Sequence, residues 1–135
     1  MIAMKNEPKH LQVVDTEYQL IQDLIAPIAP SENLISKCIM KLKNELVEAK
    51  IFKITEIPDS VIRLNSIVDI ETPFGELKMQ LVLPSNSNSV QKRISILTPM
   101  GSALYGYSIG DKVTWYFPNG EKQIKIINVN HSEYD

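Results

Sequence analysis

With 135 residues the chain can form one packed core plus an appendage, since single cores commonly use about 100–200 residues. A formal charge of −2 excludes a protein held to nucleic acid mainly by counterion release, which needs a basic excess, so no sequence-specific nucleic-acid binding is expected and protein partners or small ligands are. Cys38 is the one cysteine, which excludes an intrachain disulfide and a cysteine-rich zinc site.

The opening, MIAMKNEPKH, carries lysine, glutamate and proline where a signal peptide needs an unbroken apolar run. No apolar stretch approaches the roughly 18 residues of a membrane helix, so no membrane association and a cytoplasmic location are expected. From Asp15 the apolar residues Tyr18, Ile21, Leu24 and Ile25 recur at steps of three and four, with Asp15 or Thr16 as the N-cap, and the pattern stops near Pro27 and Pro30. A second helix is expected after Ser31. Its stripe is Ile35, Ile39, Leu42, Leu46 and Ala49, widened by Leu34, Cys38 and Val47, with Lys37, Lys41, Lys43, Asn44, Glu45 and Glu48 largely off it as a solvated face. The link APIAPSEN is short and proline-rich, which predicts an antiparallel helical hairpin, a short coiled-coil arm over residues 15–52.

KITEIPDS reads as a linker. From Val61 onward the period falls to two: IVDIE alternates, ELKMQLVL places Leu77, Met79, Leu81 and Leu83 on one face, and RISIL follows the polar loop PSNSNSVQK. KVTWYF and KQIKIINV then flank Pro118, Asn119, Gly120 and Glu121. Asn-Gly between strand-like runs is a strong hairpin signal, because both residues tolerate positive φ. Five strands predict a strongly twisted antiparallel sheet over residues 58–129, and the fold class expected is α+β. Between the third and fourth strands, Pro99 cannot donate to a sheet ladder but suits the first turn of a helix, so a short helix is expected over residues 99–105, ended by Gly106. Met100 and Leu104, one turn apart, would pack on the sheet, and Gly110-Asp111 would turn the chain into the next strand.

The segment ISILTPMGSALYGYSIGDKVTWYFPNGEKQIKIINV resembles the C-terminal domain of the Gre-type transcription elongation factors. In that family a strand runs into a Ser-Pro or Ala-Pro step, a short helix rich in small residues, a Gly-Asp turn and a final hairpin with a Pro-Gly-Gly or Pro-Asn-Gly tip. Within the family the likeness is strongest to the branch described as regulators of nucleoside diphosphate kinase, and it covers roughly residues 15–129. The resemblance implies an FKBP-like domain, with one short helix against a curved sheet and a helical hairpin projecting from it. It also implies a partner, RNA polymerase, gripped at a coiled coil of the large subunit on the rim of the secondary channel while the hairpin enters the channel.

The same resemblance directs attention to two places. The loop before the short helix carries, in Gre factors, an acid two residues ahead of the proline; here Pro99 matches the proline and Leu97 stands where the acid would be, so an ion pair is replaced by apolar contact. Leu97, Thr98, Pro99, Met100, Gly101 and Ser102 are the partner-binding candidates. At the hairpin tip, cleavage-stimulating factors carry acids that help hold a magnesium ion, and a hard cation wants several oxygen ligands. Here the tip, Pro30, Ser31 and Glu32, has one acid, whose ordinary role just after a serine is to complement a helix dipole. Asp23 lies about a turn before it. The second helix has at most about twenty residues, roughly 30 Å. The expected function is therefore that of a polymerase-binding regulator which competes for the channel without stimulating transcript cleavage, and not that of an enzyme; an interaction module for another protein is the alternative.

Other chemistry finds little support. A lone Trp115 on a strand suits a core position better than the floor of a prolyl-isomerase pocket. His10 and His131 stand in opposite tails without a second ligand at metal spacing, and Gly106 and Gly110 lack the Lys-Ser or Lys-Thr of a phosphate loop, so no catalytic residue, metal or cofactor is expected.

Overall fold

The computed structural model describes residues 10–117 and 120–131, with backbone alone at 115–117. The first element is a strand that sequence periodicity misses, β1 (Gln12–Val14), which runs directly into α1 (Asp15–Ile25). Val14, still paired with Phe52, takes the N-cap position without a side-chain bond, so the cap expected at Asp15 or Thr16 is displaced by strand pairing. Asp15 and Glu17 fall in the first helical turn instead, where carboxylates complement the helix dipole.

The chain turns through residues 26–33 and enters α2 (Leu34–Val47) at Asn33, whose side-chain oxygen accepts the Ser36 N–H at 2.7 Å. This cap starts the helix later than expected, and 14 residues at 1.5 Å each give about 21 Å instead of 30. Ile39, Leu42 and Leu46 are buried, as are Ile21 and Ile25 on α1. Leu34, Ile35 and Val47, near the two ends of α2, remain 46%, 53% and 73% exposed, so the stripe is covered only along its middle. After Val47 the chain forms β2 (Lys50–Phe52), parallel to β1, a second small sheet where continued hairpin was expected. Ile25 and Ala26 at the end of α1 share a surface pocket with Lys43 and Leu46 late in α2, so the two helices meet only near one end of α2, and the full-length seam expected between them is replaced by packing of α2 on the short helix Pro99–Leu104.

All five strands of the main sheet are found: β3 (Ser66–Thr72), β4 (Gly75–Val82), β5 (Arg93–Ser95), β6 (Lys112–Phe117) and β7 (Gly120–His131), in the order β5-β4-β3-β7-β6. The sheet is mixed, which corrects the antiparallel expectation. β5 runs parallel to β4 because the polar link, which contains a 3-10 turn at Pro84–Asn86, is a wide loop that returns the chain in the same direction. β6 and β7 pair antiparallel as far as Phe117 with Gly120, which has φ +121°. The hairpin tip at Pro118 and Asn119 and the side chain of Trp115 lie outside the described residues. On the inner face Val68, Ile70, Met79, Leu81, Val113, Ile124 and Ile126 are buried, whereas Leu77, expected among them, is 48% exposed near the start of β4.

Between β5 and β6 the short helix α3 (Pro99–Leu104) forms as predicted, with Gly106 at φ +83° just beyond it. Gly110 at φ +93° makes the expected turn into β6, where Asp111 accepts the Ser108 N–H at 2.8 Å. One apolar cluster runs from Ile21, Ile25, Ile39, Leu42 and Leu46 of the hairpin through Leu104 and Tyr105 to the inner face of the sheet.

Candidate docking site around the third helix

The turn that leads into α3 is built from short polar side chains. Ser95 Oγ accepts the Leu97 N–H at 2.9 Å, and the Ser95 carbonyl accepts from both Thr98 N–H, at 3.0 Å, and Thr98 Oγ1, at 2.7 Å. Thr98 is the N-cap, its Oγ1 taking the Gly101 N–H at 3.0 Å, and Pro99 follows in the first turn, where a missing N–H costs nothing. These bonds hold residues 95–101 in one conformation and leave Leu97, Thr98, Pro99 and Met100 half-buried at the surface. Leu97 and Met100 also pack by part of their surface on the core.

Gly101 and Ser102, the other two partner-binding candidates, are buried and belong to the scaffold beneath the site. A Cβ on Gly101 would lie 2.2 Å from the Ser95 carbonyl oxygen and 3.0 Å from Ile96 Cα, so only glycine lets α3 seat this close to β5. Ser102 Oγ donates to the Pro99 carbonyl at 3.0 Å, and the Ser102 hydroxyl faces Cys38 on α2. Burial pushes the Cys38 thiol up, with Lys41 and the Ser102 hydrogen bond pulling the other way.

Two tyrosines next to α3 make contacts that no sequence spacing reveals. Tyr105, fully buried, donates its hydroxyl to Glu17 Oε1 on α1 at 2.8 Å, and the same oxygen accepts the Leu64 N–H at 3.1 Å. Tyr107 donates to Glu45 Oε2 on α2 at 2.9 Å, an oxygen that also takes Lys41 Nζ at 2.7 Å. Burial first, and then the adjacent carboxylate, raises the Tyr105 phenol well above its ordinary value, and the same causes raise Tyr107. Glu45, read from the sequence as part of a solvated face, is half-buried here. α2 is thus tied to the body from Cys38 to Glu45, and it projects less than the resemblance implies.

Pro30, Ser31 and Glu32 at the hairpin tip are all exposed. Glu32 precedes the Asn33 cap, outside the first helical turn where a dipole partner would sit. Asp23, also exposed, accepts from Gln19 Nε2 at 3.0 Å. Among the described residues no three of His, Cys, Asp or Glu are grouped to hold a metal ion. His131, expected in a free tail, ends β7 with Nδ1 3.0 Å from Ser66 Oγ and Nε2 2.8 Å from the Asp59 carbonyl, because the last strand is longer than its apolar alternation suggests. No helix among the described residues is long and apolar enough to cross a membrane.

Three relatives give these features a context. The transcription inhibitor protein Gfh1 of Thermus thermophilus is 35% identical over 74 residues, 52% of this chain and 47% of that protein. The regulator of nucleoside diphosphate kinase of Escherichia coli is 32% identical over 81 residues, 58% of this chain and 60% of that one. A solved structure described as a prokaryotic transcription elongation factor GreA/GreB from Nitrosomonas europaea superposes with a TM-score of 0.76 at 26% identity, covering 92% of this chain and 100% of that one. The chain spans about half the length of the curated relatives it matches. The family profile described as transcription elongation factor, GreA/GreB, C-term matches residues 57–131, more than half of the chain. That span holds the five-stranded sheet, α3 and the turn that leads into it, and through them the chain belongs to the GreA/GreB transcription elongation factor family.

Proposed function

We propose that the protein is a binding factor of RNA polymerase, docking through residues 97–100 on the large-subunit coiled coil at the rim of the secondary channel. Its hairpin occupies the entrance and competes with other factors that use it, without stimulating transcript cleavage. The protein acts in the cytoplasm, as a binding protein and not as an enzyme, and residues 58–129 serve as an FKBP-like docking body. One relative, Gfh1, is named as a transcription inhibitor, which fits a factor of this family that lacks cleavage activity.

One observation carries the reading: α2 is buried in the core it shares with α3 and the sheet from Leu46 as far along as Ile39, leaving five residues, about 8 Å, between that contact and the helix start. Beyond it lie a short loop and a single exposed acid, Glu32, too few oxygen ligands to deliver a magnesium ion. Backtracked elongation complexes test it. The protein should bind them, leave the rate of 3′ RNA release unchanged, and slow release driven by an added cleavage factor. Accelerated release by the protein alone would overturn the proposal.

A further inference from the structure

Tyr105 and Tyr107 stand on either side of Gly106, directly after α3, and each reaches a different helix of the hairpin. Tyr105 bonds Glu17 of α1 at 2.8 Å and Tyr107 bonds Glu45 of α2 at 2.9 Å. We propose that this pair of phenol–carboxylate bonds positions the hairpin against the docking turn, so that a partner held at residues 97–100 meets the hairpin tip in one orientation. The inference rests on the docking role proposed above.

Three features lead to it. Apolar contact between the hairpin and α3 is non-directional: a stripe such as Ile39, Leu42 and Leu46 attracts its partners without fixing a single angle or register. Hydrogen bonds to carboxylates are directional and stronger than neutral ones, and here one is made to each helix, which restrains rotation as well as separation. Second, the hydroxyl of Tyr105 is a poor choice for stability alone. Phenylalanine would fill the same fully buried space without a polar group to desolvate, so the hydroxyl has value mainly through the partner it selects. Third, the intervening glycine is locked. Gly106 sits at φ +83°, a Cβ there would lie 3.0–3.3 Å from the Leu11 side chain, its N–H bonds the Ile62 carbonyl at 3.0 Å, and its carbonyl accepts the Gln12 N–H at 3.2 Å. The two tyrosines therefore leave a backbone fixed to β1 and to the stretch before β3, and the hairpin takes its direction from that frame. Glu17 extends the frame by accepting the Leu64 N–H on the oxygen that Tyr105 uses.

The test measures direction and binding separately. In a Cys38→Ser background, spin labels at Ala29→Cys near the tip and Gln91→Cys in the loop before β5 report the distance between hairpin and sheet by pulsed electron resonance. Unlabelled proteins are assayed for polymerase affinity and for competition with a cleavage factor. The Tyr105→Phe/Tyr107→Phe double variant keeps both rings. Its label distance distribution should broaden about twofold and its competing concentration should rise roughly tenfold, while its affinity for polymerase stays within about twofold. Glu17→Gln, which keeps an acceptor oxygen for Tyr105 and Leu64 but loses the charge, should broaden the distribution less than the double variant does. An unchanged distribution with unchanged competition in the folded double variant would refute the positioning role, and so would a loss of affinity in step with melting temperature at an unchanged distribution. If the parent protein does not bind polymerase, the docking reading falls and the distance distribution alone decides the clamp.

Discussion

Replacing Gly101 with alanine should cost far more than a helical Gly-to-Ala change normally does, because the helix is seated directly on backbone. The added Cβ would meet the Ser95 carbonyl oxygen at 2.2 Å, with Ile96 Cα and Leu81 Cδ1 at 3.0 Å. Two of these are backbone atoms at the end of β5, where Ile96 N–H bonds the Val82 carbonyl at 2.9 Å, so they cannot yield as a flexible side chain would. Moving the Ser95 carbonyl would break the two bonds it accepts from Thr98, at 2.7 and 3.0 Å. Overpacking costs about 1–3 kcal/mol and each lost hydrogen bond adds about 0.5–1.5, against about 1 regained from alanine's helix propensity. The net loss should be about 1–5 kcal/mol, and its middle value for a chain of this length lowers the melting temperature by roughly 10 °C. Urea unfolding followed by tryptophan fluorescence and circular dichroism would measure it. A loss below about 0.5 kcal/mol would show that α3 is not seated on β5 as described, and the rigidity claimed for the docking turn would fall with it.

Pro99→Ala should weaken polymerase binding by about 1–3 kcal/mol in a titration while unfolding shifts by less than about 1 kcal/mol; a fall in stability alone would make the proline structural. Leu42→Ala removes a fully buried side chain from the shared core and should cost about 2–5 kcal/mol, whereas Val47→Ser, at a position 73% exposed, should change stability by less than about 0.5, as read from urea midpoints. Because the Tyr105 phenol is raised in the folded state, the native protein keeps that proton where the unfolded chain has lost it. Its contribution is present below pH 10 and is lost as pH rises above that value toward the higher folded-state titration. Stability should therefore decline with pH above about 10, and Tyr105→Phe should reduce that slope by up to about 1.4 kcal/mol per pH unit.

The order of elements was legible because each rests on local signals. Pro99 at the start of α3 and Gly106 at its end act within a few residues, as do the alternation in β3 and Gly120 at the start of β7. What escaped depends on distant partners. β1 and β2 are three residues each, too short to show a period, and each exists because the other lies beside it. The parallel placement of β5 is decided by the path of a loop, which periodicity does not encode. At the candidate site the outline of residues 97–102 was readable, but its division into a half-buried surface and a buried scaffold was not, because Gly101 is explained by Ser95 across the turn and Ser102 by Cys38 on another helix. Glu17 and Glu45 sit 88 and 62 residues from their tyrosines, and at that separation a carboxylate on a helix looks the same whether it is solvated or bonded.

These long-range ties bear directly on reach. A hairpin that stood free would deliver its tip by the full 21 Å or so of α2, but here Ser102 meets that helix at Cys38 and Tyr107 meets it at Glu45. Most of its length, from Ile39 to Leu46, lies along the body. If the protein binds polymerase as proposed, acids added at the tip alone should not convert it into a cleavage factor, because so little of α2 extends beyond the body. Inserting two full heptads into each helix between the tip and Cys38 would extend the tip by about 21 Å while keeping the seam in register. Such a protein carrying two added tip carboxylates should gain cleavage stimulation that the carboxylates alone do not confer. Equal stimulation by both proteins in the RNA-release assay would show that reach is not what limits this fold.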